Sequence, residues 1–201
     1  MTHPFPSRTL YIGRASRRAD TVRDDRIRAG DERAFESLFL EYYTALCAFT
    51  NGILRSPDDA EEVVQTVFHR LWQSRSSWDP KGGARAYLFA ACRNQAFNLL
   101  EHEQVVWRHA AGIAEAHAGR AESGAEDWVE ASDLADRLRM AVAELPERRR
   151  QVVTLRLQYQ FSNGEIAKCM GISVKTVEVQ FARAVADLRR RLKGTRIFGL
   201  V

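Results

Sequence analysis

The run Ser162-Asn163-Gly164-Glu165-Ile166-Ala167-Lys168-Cys169-Met170-Gly171-Ile172-Ser173-Val174-Lys175-Thr176-Val177 constrains this chain more than any other stretch. It predicts two helices, Asn163–Met170 and Val174 to about Lys193, joined by a tight turn. Ala167 has to be small, because the second helix crosses over it. Gly171 can take the left-handed conformation that the turn needs. Ile172 is placed to plug the gap between the helices, Ser173 to cap the second, and Ile166 and Val177 to lock the pair together. Ala, Gly and Val at these relative positions are what a DNA-reading helix-turn-helix requires.

The second helix of such a motif enters the major groove and reads bases with its N-terminal turns. Lys175, Thr176, Glu178, Val179, Gln180 and Arg183 are therefore the residues expected to face DNA. Gln180 is suited to adenine, Glu178 to the cytosine amino group, and Thr176 or Val179 to a thymine methyl. Arg148, Arg149, Arg150, Lys168 and Arg183 are candidates for phosphate contacts, which position without specifying. Arg189, Arg190 and Arg191 lie further along and are candidates for protein contacts.

Charge separates the two ends of the chain. Residues 31–81 hold nine acidic and five basic side chains, net −4, whereas residues 146–196 hold four acidic and twelve basic, net +8. One end repels a phosphate backbone and the other attracts it. A protein that joins DNA to another protein has a use for both. The total of +4 states only a mild basic bias. Cys47, Cys92 and Cys169 are far apart and odd in number, which fits a reducing cytoplasm better than a disulfide framework. No run approaches the roughly 18 apolar residues of a membrane helix. Arg8, Arg14, Arg17 and Arg18 come without an apolar segment, so neither a secretory signal nor membrane insertion is expected.

No β-alternation appears anywhere in the chain. Residues 1–22 read as a loose extension. Helical patterning begins near Asp31, a suitable N-cap, with Phe35, Leu38, Phe39, Tyr42, Tyr43, Leu46 and Phe49 at helical spacing. Asn51-Gly52 should weaken the end of that helix. Ser56 as N-cap, Pro57 at the first position and Asp58, Asp59, Glu61 and Glu62 in the first turns mark a strong second start. That helix buries Ala60, Val63, Val64, Val67, Phe68 and Leu71 and ends near Trp72 or Ser74. Trp78 to Gly83 is a loop, followed by a helix from about Ala84 past Leu100. Residues 105–132, rich in Ala, Gly, Glu and His, read as a flexible linker that is partly helical at most. A second domain starts near Asp133, and Pro146 closes its first helix and opens the next, Glu147 to about Tyr159. The expectation is an all-α chain: a helical bundle over 23–104, the linker over 105–132, a helix-turn-helix domain over 133–196 and a tail over 197–201.

Three further blocks carry a family resemblance. Asp58 to Trp72 looks like the core-polymerase-binding helix of the extracytoplasmic-function (ECF) sigma factors of the sigma-70 type. Ala86 to Leu100 resembles their promoter-melting helix. Leu145 to Val153 resembles the opening of their second DNA-binding domain. With the helix-turn-helix, the resemblance covers roughly residues 28 to 193, in family order. It implies a region-2-like bundle and a region-4-like domain. It also implies a partner, core RNA polymerase, held on its largest subunits by Asp58, Asp59, Glu61, Glu62, Gln65 and Arg70. It implies promoter DNA melted at the −10 element, met by Trp78, Lys81, Tyr87, Arg93, Asn94 and Asn98. Trp78 could equally be a core plug. At the −35 element it implies duplex DNA met by Arg149, Arg150, Lys168, Ser173, Lys175, Thr176, Glu178, Val179, Gln180 and Arg183. A cognate anti-sigma factor is a further implied partner, and the family's linker threads toward the polymerase cleft. The chain departs from the family pattern at Asn98, where Asp is usual, and at Glu101-His102-Glu103, where basic residues are usual. Glu178, Val179 and Gln180 stand where Lys, Ser and Arg are frequent.

Two other classes compete. Residues 161–180 also resemble the DNA-binding domain of LuxR-type regulators, which lack the acidic helix and the Arg93-Asn94 step. An enzyme or metalloprotein would need machinery that is not visible: His102, His109 and His117 are spaced by seven and eight, and no two stand at i, i+4. No catalytic residue, metal or cofactor is expected.

Overall fold

Asp31 starts the helix on which the first part of the molecule is built. Its carboxylate accepts from the Ala34 N–H at 3.1 Å and pairs with Arg26 at 2.7 Å. In the computed structural model, which describes residues 17–80, 83–110 and 131–192, this helix is α2 (Glu32–Leu54). Ahead of it lies α1 (Arg17–Arg28) and after it α3 (Pro57–Gln73), one 3-10 turn (Arg75–Ser77) and α4 (Ala84–Ala110). These helices form one compact unit. A second unit holds α5 (Ala131–Ala143), α6 (Glu147–Leu157), the first part of α7 (Asn163–Met170) and α8 (Val174–Arg191). The described residues contain helices and turns and no strand. No described helix is long and apolar enough to cross a membrane.

Aromatic rings of α2 zip it to its neighbours. Phe35 meets Phe68 and Trp72 of α3 with ring centroids 6.0 and 4.8 Å apart. Phe39 meets Phe68 at 4.9 Å, and Phe49 meets Phe89 of α4 at 5.0 Å. Each such pair adds about 0.5–1.5 kcal/mol beyond the area it buries. Leu38, Leu46, Val64, Leu71 and Leu88 fill the space between and are fully buried, each contributing roughly 1.5–3 kcal/mol. Ser56 caps α3 as expected, its hydroxyl accepting from the Asp59 N–H, with Pro57 at the first position.

One expectation about this unit needs correction. The stretch read as a loose extension already contains the start of α1, and helical structure begins at Arg17 instead of near Asp31. This helix is almost wholly polar, so it has no apolar period to see. It is held instead by one fully buried side chain, Ile27, and by Arg23, which pairs with Asp20 and with Glu41 of α2 and lies over the Tyr42 ring. Asn51-Gly52 falls in the last turn of α2. The helix runs on because Ile53 and Leu54 are buried, and Arg55 closes it in the left-handed conformation at φ 57°, its N–H donating to the Asn51 carbonyl. Burial overrides local propensity at both places. Further on, α4 continues to Ala110, past the boundary at 104/105, and residues 111–130 of the linker lie outside the described residues, as do Lys81 and His117.

The second unit packs Ala141 and Leu145 against Val153 of α6 and against Ala184, Leu188 and Leu192 along α8. Its helix-turn-helix has the boundaries that the sequence predicts. Gly171 adopts φ 63°, the Ile172 N–H donates to the Ala167 carbonyl at 3.0 Å, and the Ser173 hydroxyl accepts from the Thr176 N–H at 3.1 Å. Ile166 and Val177 are fully buried.

A Cβ on Gly171 would meet no atom within 4 Å. The cost of replacing it is therefore backbone strain alone. Gly171→Val should lower stability by about 1–2 kcal/mol or more, and Gly171→Asn by less, because Asn tolerates the left-handed region; thermal unfolding of the two variants measures the difference. Asp24 on α1 is buried, and burial pushes its carboxyl from 3.8 up to about 6. The folded chain thus holds this proton more tightly than the unfolded chain. The stability contributed by the protonated form is complete below the ordinary carboxyl pKa and is lost as pH rises through about 6. Asp24→Asn should raise the unfolding temperature at neutral pH and flatten its fall across that window.

Candidate functional site

Polar residues of α3 alternate with its buried face. Val63, Val64, Val67, Phe68 and Leu71 turn inward, while Asp58, Glu61, Glu62 and Gln65 are exposed and Asp59 is half-buried. The result is a carboxylate-rich strip on a rigid helix, suited to a partner surface rich in Arg. Arg70, at the far end, is exposed and donates to the Gln95 side chain of α4 at 2.8 Å. It links the strip to the next helix.

On α4, Tyr87, Asn94 and Asn98 are exposed and stand at i, i+7 and i+11, on one face. Arg93 lies over the Phe97 ring at 4.8 Å and donates to Asn94 at 3.2 Å. Trp78 is different. It is only 4% exposed and packs edge-on against Tyr87 with centroids 5.9 Å apart. Of the two readings open for this residue, the core plug is the one observed: a buried ring has no free face for a base. Tyr87, which packs against Trp78, keeps its ring open to solvent.

In the second unit, the period of α8 separates an inner from an outer face. Val177, Ala184 and Leu188 are buried. Lys175, Glu178, Val179 and Arg183 are exposed, and Thr176 and Gln180 are half-buried. Lys168 is exposed on α7. Val179 is an apolar side chain 40% open to solvent at the centre of this outer face. Ser173 is present but its hydroxyl is engaged in capping and in a bond with the Thr176 hydroxyl at 2.8 Å.

Arg149 and Arg150 are engaged by partners within the unit. Arg149 reaches from α6 to the buried carboxylate of Asp187 on α8. Arg150 donates to the Ala143 carbonyl at 2.8 Å and pairs with Glu147. Both are tied into the unit that presents the outer face. The sequence shows three adjacent arginines and cannot tell which of them has a carboxylate thirty-eight positions away.

Two features went unread in the sequence. Ser162 and Glu165 form a capping box at the start of α7: the Ser162 hydroxyl accepts from the Glu165 N–H, and the Glu165 carboxylate accepts from the Ser162 N–H at 2.8 Å. The Ser-x-x-Glu spacing carried that signal. Asn163 receives a hydrogen bond from Arg156 of α6 and donates to Glu178 of α8 at 3.4 Å. No local pattern announces that contact.

Residues 38–105 match the family model described as Sigma-70 region 2, and residues 135–188 match that described as Sigma-70, region 4. The chain is 29% identical over 176 residues to the RNA polymerase sigma factor CnrH of Cupriavidus metallidurans, covering 85% of this chain and 92% of that protein. It is 29% identical over 168 residues to the ECF RNA polymerase sigma factor SigL of Mycobacterium tuberculosis, covering 82% and 92%. The solved structure of CnrH in complex with the cytosolic domain of CnrY aligns with a TM-score of 0.62 at 26% identity, covering 87% of this chain and 97% of that one.

The Asp187 cluster makes a pH dependence. Hydrogen bonds from Arg190 and Arg149 hold its carboxyl below the usual carboxylate range. Its contribution to stability is present above the unfolded-chain carboxyl pKa, about 3.9, and is lost as pH falls through the lower folded value. Asp187→Asn should therefore destabilise the second unit at neutral pH and reduce the slope of its acid unfolding, as followed by circular dichroism from neutral pH downward.

Proposed function

Because the chain belongs to the ECF sigma factors of the sigma-70 type, which bind core RNA polymerase and direct promoter-specific initiation, we propose a division of that work between its two units. The first, which the sequence delimits as residues 23–104, holds core enzyme on the acidic strip of α3, through Asp58, Asp59, Glu61, Glu62 and Gln65. It meets the melted −10 strand along α4, through Tyr87, Arg93, Asn94 and Asn98. Exposed π-faces and amides in a row suit unstacked bases. The second unit, residues 133–196, grips the −35 duplex with Lys168, Lys175, Thr176, Glu178, Val179, Gln180 and Arg183.

The observation that carries this reading is the pairing, in one chain, of an exposed carboxylate strip on α3 with a helix-turn-helix whose outer face holds Lys168, Lys175 and Arg183. A LuxR-type regulator would account for the helix-turn-helix over residues 161–180 and leave the match over 38–105 without a purpose. The polymerase supplies the chemistry in this scheme, so no catalytic residue is assigned and the site of action is the cytoplasm. The relative CnrH is bound by the cytosolic domain of CnrY. We extend this to a protein that holds the present chain inactive, an anti-sigma factor competing with core enzyme for the first unit.

Charge reversal separates the two roles. Asp59→Lys with Glu62→Lys should weaken binding to core polymerase by about a hundredfold, since like charges then face each other, while binding of the full chain to −35 duplex DNA is kept. Lys175→Ala with Gln180→Ala should do the opposite, and loss of the lysine should lower the salt slope of DNA binding by about one. Equal loss of both activities in both variants would refute the division.

A further inference from the structure

Glu178 is the one acidic residue on the outer face of α8, where phosphates are expected on either side, and the structure shows what holds it. Asn163, the first residue of α7, stands between two side chains of fixed polarity. Arg156 has only donors, so the amide oxygen of Asn163 must face it; the Glu178 carboxylate only accepts, so the amide nitrogen must face that. Both bonds are present: Arg156 donates to Asn163 Oδ1, and Asn163 Nδ2 donates to Glu178 Oε1 at 3.4 Å. Arg156 is itself fixed, its guanidinium 5.0 Å from the centre of the Phe181 ring, and Phe181 packs on the core of the unit. The order Arg156 to Asn163 to Glu178 therefore runs from the core to an exposed carboxylate and permits one amide orientation.

A carboxylate so placed has few partners in a major groove. Phosphates repel it. Guanine and thymine present acceptors. Adenine presents its amino group beside the N7 acceptor, which opposes the second carboxylate oxygen. Cytosine presents an amino donor and no acceptor. We propose that Arg156 and Asn163 are positioning residues that hold Glu178 as a reader of cytosine, so that one C·G pair of the −35 element determines the promoter specificity of this chain. This rests on the assignment of α8 to the −35 duplex and goes beyond it by assigning the residues that hold Glu178 in place for that choice.

The test is selection of −35 sequences from a pool randomised in that element, by holoenzyme reconstituted from the full chain and core polymerase, with sequencing of the retained DNA. Wild type should enrich cytosine at one position. Glu178→Gln should lower that enrichment by about tenfold or more and raise adenine there, which a carboxamide pairs with. Asn163→Ala should lower the same enrichment by about threefold or more, the effect of one lost hydrogen bond, and leave the other positions unchanged. Asn163→Asp retains a partner for Arg156 but sets a carboxylate against Glu178; it should fold with a wild-type unfolding temperature and lose the cytosine preference. A purely structural role for Asn163 would shift unfolding temperature and overall affinity without moving preference at a single position. Enrichment without cytosine in wild type, or cytosine enrichment unmoved by Glu178→Gln or by both Asn163 variants, overturns the proposal. Failure of wild type to enrich any −35 sequence would instead overturn the assignment of α8 to that element.

Discussion

A carboxylate on α8, held by guanidiniums from two directions, ties together the helices of the second unit. Asp187 accepts from Arg149 of α6 and from Arg190 one turn further along its own helix. The pair joins the apolar seam of Val153, Ala184 and Leu188, so α8 is fixed to α6 by both packing and charge. Hydrogen bonds from Arg190 and Arg149 keep this carboxylate ionised, outweighing the opposing effect of its burial. The rotation of α8 about its own axis follows from this clamp, and with it the set of side chains that face outward. Arg149, a basic residue that counts toward the charge of this half, thereby also ties α6 to α8.

The first unit solves a different problem. An acidic helix facing a partner must stay rigid while offering few apolar groups of its own on that side. The aromatic seam of Phe35, Phe39 and Phe68 anchors α3 from behind, and the Ser56 cap with Pro57 fixes its start. Charge can then be spent on one face without loosening the other. The same seam leaves α4 a long helix whose polar side chains, Asn94 and Asn98, project from a supported backbone. Trp78 belongs to this support. Its burial under Tyr87 passes the exposed aromatic role to Tyr87.

Much of this was legible in the residues. The caps at Asp31, Ser56 and Ser173, the left-handed Gly171, and the periods of α2, α3 and α8 are local signals, each decided within one or two helical turns. The blocks that resemble sigma factors were legible for the same reason, since they are runs of contiguous sequence. What stayed hidden depends on partners far along the chain. α1 escaped notice because ion pairs and one isoleucine hold it, and neither leaves a period. Arg149 and Arg150 read alike as candidate phosphate contacts, and only the fold sets Asp187 beside one and the Ala143 carbonyl beside the other.

By itself, the sequence determined an all-helical chain with an acidic front, a basic back, and a helix-turn-helix of the kind that sigma factors carry. Helix starts, turns and amphipathic faces are short-range consequences of side-chain chemistry and need no knowledge of the rest of the molecule. Only the tertiary structure decided which charged and aromatic groups remain available to a partner. Availability is what is left after long-range pairing and burial, and it separates Tyr87 from Trp78, Lys175 from Arg149, and a restrained Glu178 from a merely exposed one.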